Sequence, residues 1–184
     1  MFIGTRALLS IVLMAFVSVA LAGQSIHPLK PLRTPDVRYV PTPQAVVEAM
    51  LAFARVTPAD VVYDLGSGDG RIPITAAEKF GARGVGIDID PFQILQANGN
   101  LARSSARNRV VFRNEDLFEA DIRDATVVAM FLFPTMRDRL IPFLKRSLRP
   151  GTRMVAYHFD LGTEWPADAV EDVDGATIYL WTVK

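Results

Sequence analysis

From Thr42 to the C-terminus, apolar positions follow two alternating rhythms, and the places where the rhythm changes predict the elements. Val46, Val47, Met50, Leu51 and Ala54 share one face at helical spacing, with Thr42 as the N-cap and Pro43 at the first helical position. Residues 61–65 form a short, largely apolar run with β-branched members. Thr57-Pro58-Ala59-Asp60 precedes it and glycines follow it, which suits a strand buried on both faces. The next helix extends to about Phe80, because Pro73 is tolerated only in a first turn and Gly81 is a stop signal. Repetition of this unit predicts strands over residues 84–89, 110–114, 126–133 and 153–159. Asp90-Pro91 caps and opens the helix after the second strand, Gly99 is expected to interrupt that helix, and Pro142 is expected to divide a helix over 135–148 into two pieces. Pro150-Gly151 turns the chain into the fifth strand. Residues 170–173 and 177–183 flank Asp174-Gly175, a strong hairpin signal, so the last two strands should be antiparallel neighbours. The alternation implies an α/β fold: a doubly wound, seven-stranded, mostly parallel sheet with an antiparallel C-terminal hairpin. Such a sheet binds its ligand outside the carboxyl ends of the strands, where the strand order reverses.

Ahead of Thr42 the rhythm is lost. Arg6 precedes an unbroken apolar and small-residue stretch from Ala7 to Ala22, and Ala20-Leu21-Ala22 fits the small-x-small pattern of a secretory cleavage site. Residues 1–22 therefore read as a signal peptide or a membrane anchor. The stretch is slightly short of the roughly 20 residues of a typical spanning helix but within the tolerated range, so length does not choose. Residues 23–41 carry four prolines and no periodicity, which marks a proline-rich linker or arm. One domain, residues 42–184, remains.

Charge and composition narrow the partners. Lys plus Arg equals Asp plus Glu at 20 each, so no basic footprint favours nucleic acid, and none is expected as a partner. The local cluster of Arg103, Arg107, Arg109 and Arg113 reads as a solvated helix end and strand edge. With no cysteine and only His27 and His158, there is no thiolate nucleophile and no expected metal site.

The chemistry concentrates in VVYDLGSGDGRIPIT, residues 61–75. A phosphate-cradling loop needs Gly-Lys and then Ser or Thr, but Gly70 is followed by Arg71-Ile72-Pro73. A dinucleotide fingerprint needs Gly-x-Gly-x-x-Gly, whereas these glycines are spaced two apart, and Asp64 and Asp69 would set negative charge beside a pyrophosphate. A cationic ligand without phosphate fits better, and S-adenosylmethionine is such a ligand. Gly66 and Gly68 would allow close backbone approach and positive-φ turn angles. Asp88, 22 positions after Gly66, is placed to accept from both ribose hydroxyls, and Asp116 from the adenine amino group, with Ile89 and Leu117 as apolar walls. Taken singly, Asp88 reads equally well as a capping acid and Asp116 as a solvated turn residue; their order at successive strand ends favours the ligand.

DLGSGDG from Asp64, GIDID from Gly86, NEDLF from Asn114 and the terminal hairpin resemble the class I S-adenosylmethionine-dependent methyltransferases over nearly all of residues 40–184. YVPTPQAVVEAML, DLGSGDGRI, FLFP and LKRSLRPGTRMV resemble a narrower group, the mitochondrial lysine methyltransferases acting on the ATP synthase c subunit and the adenine nucleotide translocase, with their bacterial relatives. The resemblance implies a Rossmann-like sheet. It also implies that Asp64, Gly66, Gly68 and Gly70, with Ser67 in the same loop, surround the methionine portion of S-adenosylmethionine. A protein lysine is the implied acceptor, in a membrane protein in particular, with a small molecule, or a noncatalytic binding module of the same fold, as alternatives. Phe131-Leu132-Phe133-Pro134 departs from the Asn/Asp-Pro-Pro-aromatic box of base methyltransferases, and His158 stands where an aspartate is expected in bacterial relatives.

Methyl transfer from a sulfonium is an in-line displacement, so alignment and exclusion of water carry the catalysis and no obligatory acid or base is required. Tyr39, Phe133, Pro134 and His158 are expected to converge with Asp160 on the acceptor; His158 reads first as a histidine hydrogen-bonded at a strand end, and alternatively as a group that takes a proton near neutral pH. At least one of Phe131 and Phe133 should be ordinary strand core, and Trp165 and Trp181 should be packing residues. Location has two readings. The cleavage site argues for export to the periplasm, yet S-adenosylmethionine is made in the cytosol. Lys30, Arg33 and Arg38 after the apolar stretch favour an inner-membrane anchor with the domain facing the cytoplasm.

Overall fold

The computed structural model describes residues 32–184; the signal or anchor segment, residues 1–22, lies outside them. Helix α1 (Gln44–Phe53) is followed by β1 (Val61–Leu65), α2 (Arg71–Phe80), β2 (Arg83–Asp88), α3 (Pro91–Ala102), β3 (Val110–Asn114), β4 (Val127–Met130), α4 (Arg137–Ser147), β5 (Arg153–Tyr157), β6 (Ala169–Val173) and β7 (Ala176–Thr182). The seven strands form one sheet in the order β3-β2-β1-β4-β5-β7-β6. β1 pairs in parallel with β2 and β4, β4 with β5, and β2 with β3, while β7 runs antiparallel to β5 and β6. The order reverses between β1 and β4, so a crevice opens beyond the carboxyl ends of those strands.

Every residue of β1 and β4 is buried, as strands covered on both faces must be. On one face Tyr63, Leu65, Ile87, Met130 and Met154 pack with Leu140, Ile141, Phe143 and Leu144 of α4. On the other, Val62, Val127, Ala129 and Val155 pack with Val47, Met50 and Leu51 of α1 and with Ile72 and Ala76 of α2. Trp181 is fully buried and its indole N–H donates to the Trp165 carbonyl at 2.8 Å, so both tryptophans are packing residues as expected. Asp174 and Gly175 both have positive φ, 53° and 82°, the conformation of a tight two-residue hairpin turn.

Several local expectations need correction. α1 starts at Gln44, with Pro43 in extended conformation as the N-cap and no side-chain cap from Thr42, whose carbonyl instead accepts from Arg71 at 2.8 Å. α3 runs through Gly99 without a break. α4 is one helix across Pro142, preceded by a 3-10 turn at Pro134–Met136. Pro142 and Asp138, whose carbonyl the proline leaves without a helical donor, are both exposed residues, while Ile141 and Phe143 are buried, so the lost bond lies on the solvent side of the helix. β4 stops at Met130 and β5 at Tyr157, before Phe131 and His158.

Candidate functional site

The glycine turn after β1 is built by backbone hydrogen bonds to the neighbouring strand: the amides of Gly66 and Ser67 both donate to the Ile87 carbonyl at 2.9 Å, and Gly70 closes the turn onto Ser67. Gly66, Gly68 and Gly70 have φ of 81°, 50° and 81°. Asp88 at the end of β2 accepts from the Gly68 amide at 2.8 Å through one oxygen and from the Asp90 amide at 2.9 Å through the other, so the strand end fixes the loop. Asp90 also caps α3 by accepting from Phe92. A cavity of about 510 Å³ lies in front of this loop, at the carboxyl ends of β1 to β4.

Arg33 and residues 35–42 roof that cavity. The Tyr39 ring rests against Gly68, where a Cβ would come within 2.1 Å of it, so an L side chain at that position would expel the ring. Tyr39 itself is pushed above the ordinary phenol value by burial and by the charge of Asp69. Burial alone would raise Asp69, but Arg71, bonded to both its oxygens at 2.9 and 2.7 Å, holds it below the usual carboxylate range. Arg33 donates to Asp116 at 2.7 Å, and Asp116 accepts from the Phe118 amide at 3.0 Å; these bonds outweigh burial and hold Asp116 low as well.

The innermost carboxyl behaves oppositely. Burial pushes Asp64 well above the ordinary value, and the charges of Asp88 and Asp69 push it further. Burial also raises Asp88, against the two amides that donate to it. The Ser67 hydroxyl and the Gln93 side-chain carbonyl are buried in the cavity wall without a hydrogen-bond partner among the described residues. A buried carboxyl with no countercharge among the described residues and two orphaned polar atoms facing one cavity are what a cationic, hydroxyl-bearing ligand would satisfy, so these residues fit S-adenosylmethionine. Gln93 had no motif to announce it; its only signal was its place in the first turn of a helix opened by Asp90-Pro91.

Of the sequence-predicted residues, Tyr39, Asp64, Gly66, Ser67, Asp88, Ile89, Asp116, Leu117 and Phe133 all line this cavity. Gly68 and Gly70 are not part of the lining; Gly68 lies against the Tyr39 ring and Gly70 against the Phe112 ring. Pro134 and His158 stand outside the lining. Phe131 and Phe133, following β4 and half-buried, stack at 6.3 Å, and Phe159 joins them at 6.2 and 5.4 Å. Neither is strand core, because the strand ends before both, and both line the cavity. His158 is exposed with φ of 69°, its amide donating to Thr177 and the Phe159 amide reaching back to Tyr157 at 2.8 Å. Asp160 pairs with Arg137 at 3.2 Å.

A family model described as the ANTKMT methyltransferase domain matches residues 64–169. The chain is 41% identical over 153 residues to a protein-lysine N-methyltransferase of Saccharolobus islandicus, covering 81% of this chain and 95% of that protein. It is 35% identical to the adenine nucleotide translocase lysine N-methyltransferase of Mus musculus, covering 76% of this chain but only 60% of the mouse protein. Among solved structures, one described as an RNA methyltransferase from Salinibacter ruber in complex with S-adenosyl-L-homocysteine superposes with a TM-score of 0.76 at 50% identity, covering 78% of this chain and 94% of that one.

Proposed function

The chain belongs to the ANTKMT methyltransferase-domain family, and from that membership we propose that its methyl acceptor is a lysine of a protein. It is an S-adenosylmethionine-dependent methyltransferase. The observation that carries the lysine reading is the protein-lysine N-methyltransferase matched over 95% of its length. The wall supports it: carboxylates, among them Asp36, Asp64, Asp69, Asp88, Asp90 and Asp116, outnumber the arginines Arg33, Arg38 and Arg71. That balance favours a cationic cofactor and an amine-bearing acceptor over a phosphate polymer.

Bound S-adenosylmethionine supplies the methyl group as a sulfonium electrophile. Asp64, Ser67, Asp88, Gln93 and Asp116 would bind and orient it, with Asp64 beside the amino group. The Tyr39 roof and Phe131, Leu132 and Phe133 exclude water from the side on which the acceptor enters, so that a neutral lysine amine meets the methyl group in line. The lysine arrives as its ammonium and releases one proton to solvent to become that amine, His158 standing exposed at the end of β5 and outside the cavity lining.

A second reading, an RNA acceptor, rests on the description of the Salinibacter ruber structure. One experiment separates them: the full chain is incubated with methyl-labelled S-adenosylmethionine and, in parallel, membrane protein, soluble protein, RNA and small solutes. Alkali-stable label that mass spectrometry maps to lysine supports the proposal, and label in membrane protein narrows it to the expected class of partner. Label confined to RNA or to solutes overturns it, and cofactor binding without transfer to any fraction favours a noncatalytic role. For location, export with cleavage after Ala22 is proposed, with the inward-facing anchor as alternative; sequencing the native amino terminus separates a chain beginning at Gly23 from one that keeps Met1.

A further inference from the structure

We propose that Arg33, reaching in from the arm, is a positioning residue of the cofactor site: it fixes the Asp116 carboxylate at the adenine end and latches the arm over bound cofactor, so that cofactor leaves only when the arm lifts. The inference rests on the reading of the cavity as the S-adenosylmethionine site.

The geometry is a chain of charges linking three separate parts of the fold. Arg33 Nε donates to Asp116 Oδ2 at 2.7 Å, and another nitrogen of the same guanidinium meets Asp36 Oδ2 at 2.7 Å. Asp36 in turn meets Arg139 of α4 at 3.3 Å, and the Arg139 guanidinium lies 3.9 Å from the centre of the Phe118 ring. The Phe118 amide returns to Asp116, donating to Oδ1 at 3.0 Å. Each oxygen of Asp116 therefore has one fixed donor and keeps lone-pair capacity for another, and the carboxylate lines the cavity. A carboxylate held by two donors from different elements presents its free lone pairs in one direction, which is what recognition of an exocyclic amine requires. Removing Arg33 frees the side chain to turn towards water.

The cavity persists beneath the arm with these contacts made, at about 510 Å³, within the range of small-molecule sites. The arm as placed is thus a roof and not a plug. Beyond Arg33 and Asp36 it is held by the Tyr39 ring on Gly68 and by the Arg71 bond to the Thr42 carbonyl. The charged contacts are the part of this attachment that salt weakens, since Arg33 and Asp36 are each about one third exposed at 34% and 29%. Lysine cannot replace Arg33, because its single ammonium does not span Asp116 and Asp36 as the guanidinium fork does.

The test is binding of S-adenosyl-L-homocysteine to the full chain in detergent, by calorimetry and by stopped-flow dissociation at low and high salt, for wild type, Arg33→Gln and Asp36→Asn, each checked for fold by circular dichroism. Arg33→Gln is expected to weaken binding about fivefold, mainly through faster dissociation, and to lose most of the salt dependence of the dissociation rate. Asp36→Asn, which leaves the Asp116 contact intact, is expected to accelerate dissociation by a smaller factor. Arg33→Gln binding as tightly as wild type, or more tightly as removal of a competitor would produce, overturns the proposal, as does weaker binding with the salt dependence of wild type. A folded wild-type chain that binds no S-adenosyl-L-homocysteine overturns the site reading itself and this proposal with it, an outcome distinct from a wild type that binds and a variant that does not differ.

Discussion

Asp64 is a buried carboxyl whose ionisation is opposed by burial and by the charges of two other acids, Asp88 and Asp69. Its folded value is raised, so it contributes most favourably while protonated, and stability is lost as pH rises from the ordinary carboxylate range through the raised value. A cationic ligand reverses this by favouring the ionised form, and binding must then release a proton wherever free Asp64 is protonated. Titration calorimetry with S-adenosylmethionine in buffers of low and high ionisation enthalpy should report proton release that grows as pH falls, and Asp64→Asn should abolish it; an enthalpy independent of buffer at every pH would falsify the assignment. His158 holds tension of another kind. Its φ of 69°, with the Phe159 amide bonded back to Tyr157, makes a positive-φ γ-turn that a side chain resists. His158→Gly should raise stability by about 0.5–1 kcal/mol in urea unfolding, after the extra freedom of glycine in the unfolded chain is set against the relieved strain. Loss of stability in this variant would show that the ring contacts of His158 outweigh the strain.

At the scale of elements, α3 shows how tertiary contacts override a local signal. Gly99 lowers helix propensity in its interior, yet the helix continues because Pro91, Ala97 and Leu101 are buried along one side and Asp90 caps its start. A Cβ at position 99 would meet only an Arg103 nitrogen at 3.9 Å, an ordinary contact. Gly99→Ala should therefore stabilise the protein by about 0.5–1 kcal/mol, seen as a higher denaturation midpoint with unchanged slope. A neutral or lower midpoint would mean that the exposed helix surface has a demand the contacts do not reveal. The same reasoning explains Pro142, whose exposed ring in α4 costs one bond on the solvent side only.

For the whole molecule, the end of the sheet opposite the site is tied by one buried acid. Asp60 accepts from the Thr57 amide and hydroxyl at 2.7 and 2.8 Å, from the Thr126 hydroxyl at 2.7 Å, and pairs with Arg153, whose guanidinium also donates to the Ala54 and Arg55 carbonyls at 2.6 and 2.8 Å. The end of α1 and the entries to β1, β4 and β5 are joined through it. Burial opposes its ionisation, but these donors hold it below the ordinary value. A depressed carboxylate stabilises above its unfolded value and loses that contribution as pH falls through the folded one. Asp60→Ala should thus cost about 3 kcal/mol at neutral pH, and its difference from wild type should shrink below about pH 4. Chemical unfolding across that range checks both, and a difference that persists undiminished into acid would assign the loss to packing alone.

The alternating rhythms, Gly81 as a stop, Asp90-Pro91 as a start and Asp174-Gly175 as a hairpin were legible in the chain, because periodicity, caps and turns depend on residues a few positions apart. The loop after β1 and the acids at successive strand ends were legible for the same reason, and the parallel order that makes them neighbours follows from the alternation. What only the tertiary structure decided are contacts between distant positions. Arg33 meets Asp116 across 83 positions and Arg153 meets Asp60 across 93, and neither pair has a local pattern. The arm has no periodicity, so although Tyr39 was expected at the acceptor, nothing in the chain says that Arg33 and Asp36 return with it over the cavity. Where β4 ends, and hence whether Phe131 and Phe133 face core or cavity, depends on how far β1 and β5 offer partners beside it; a run of apolar residues reads the same in either case.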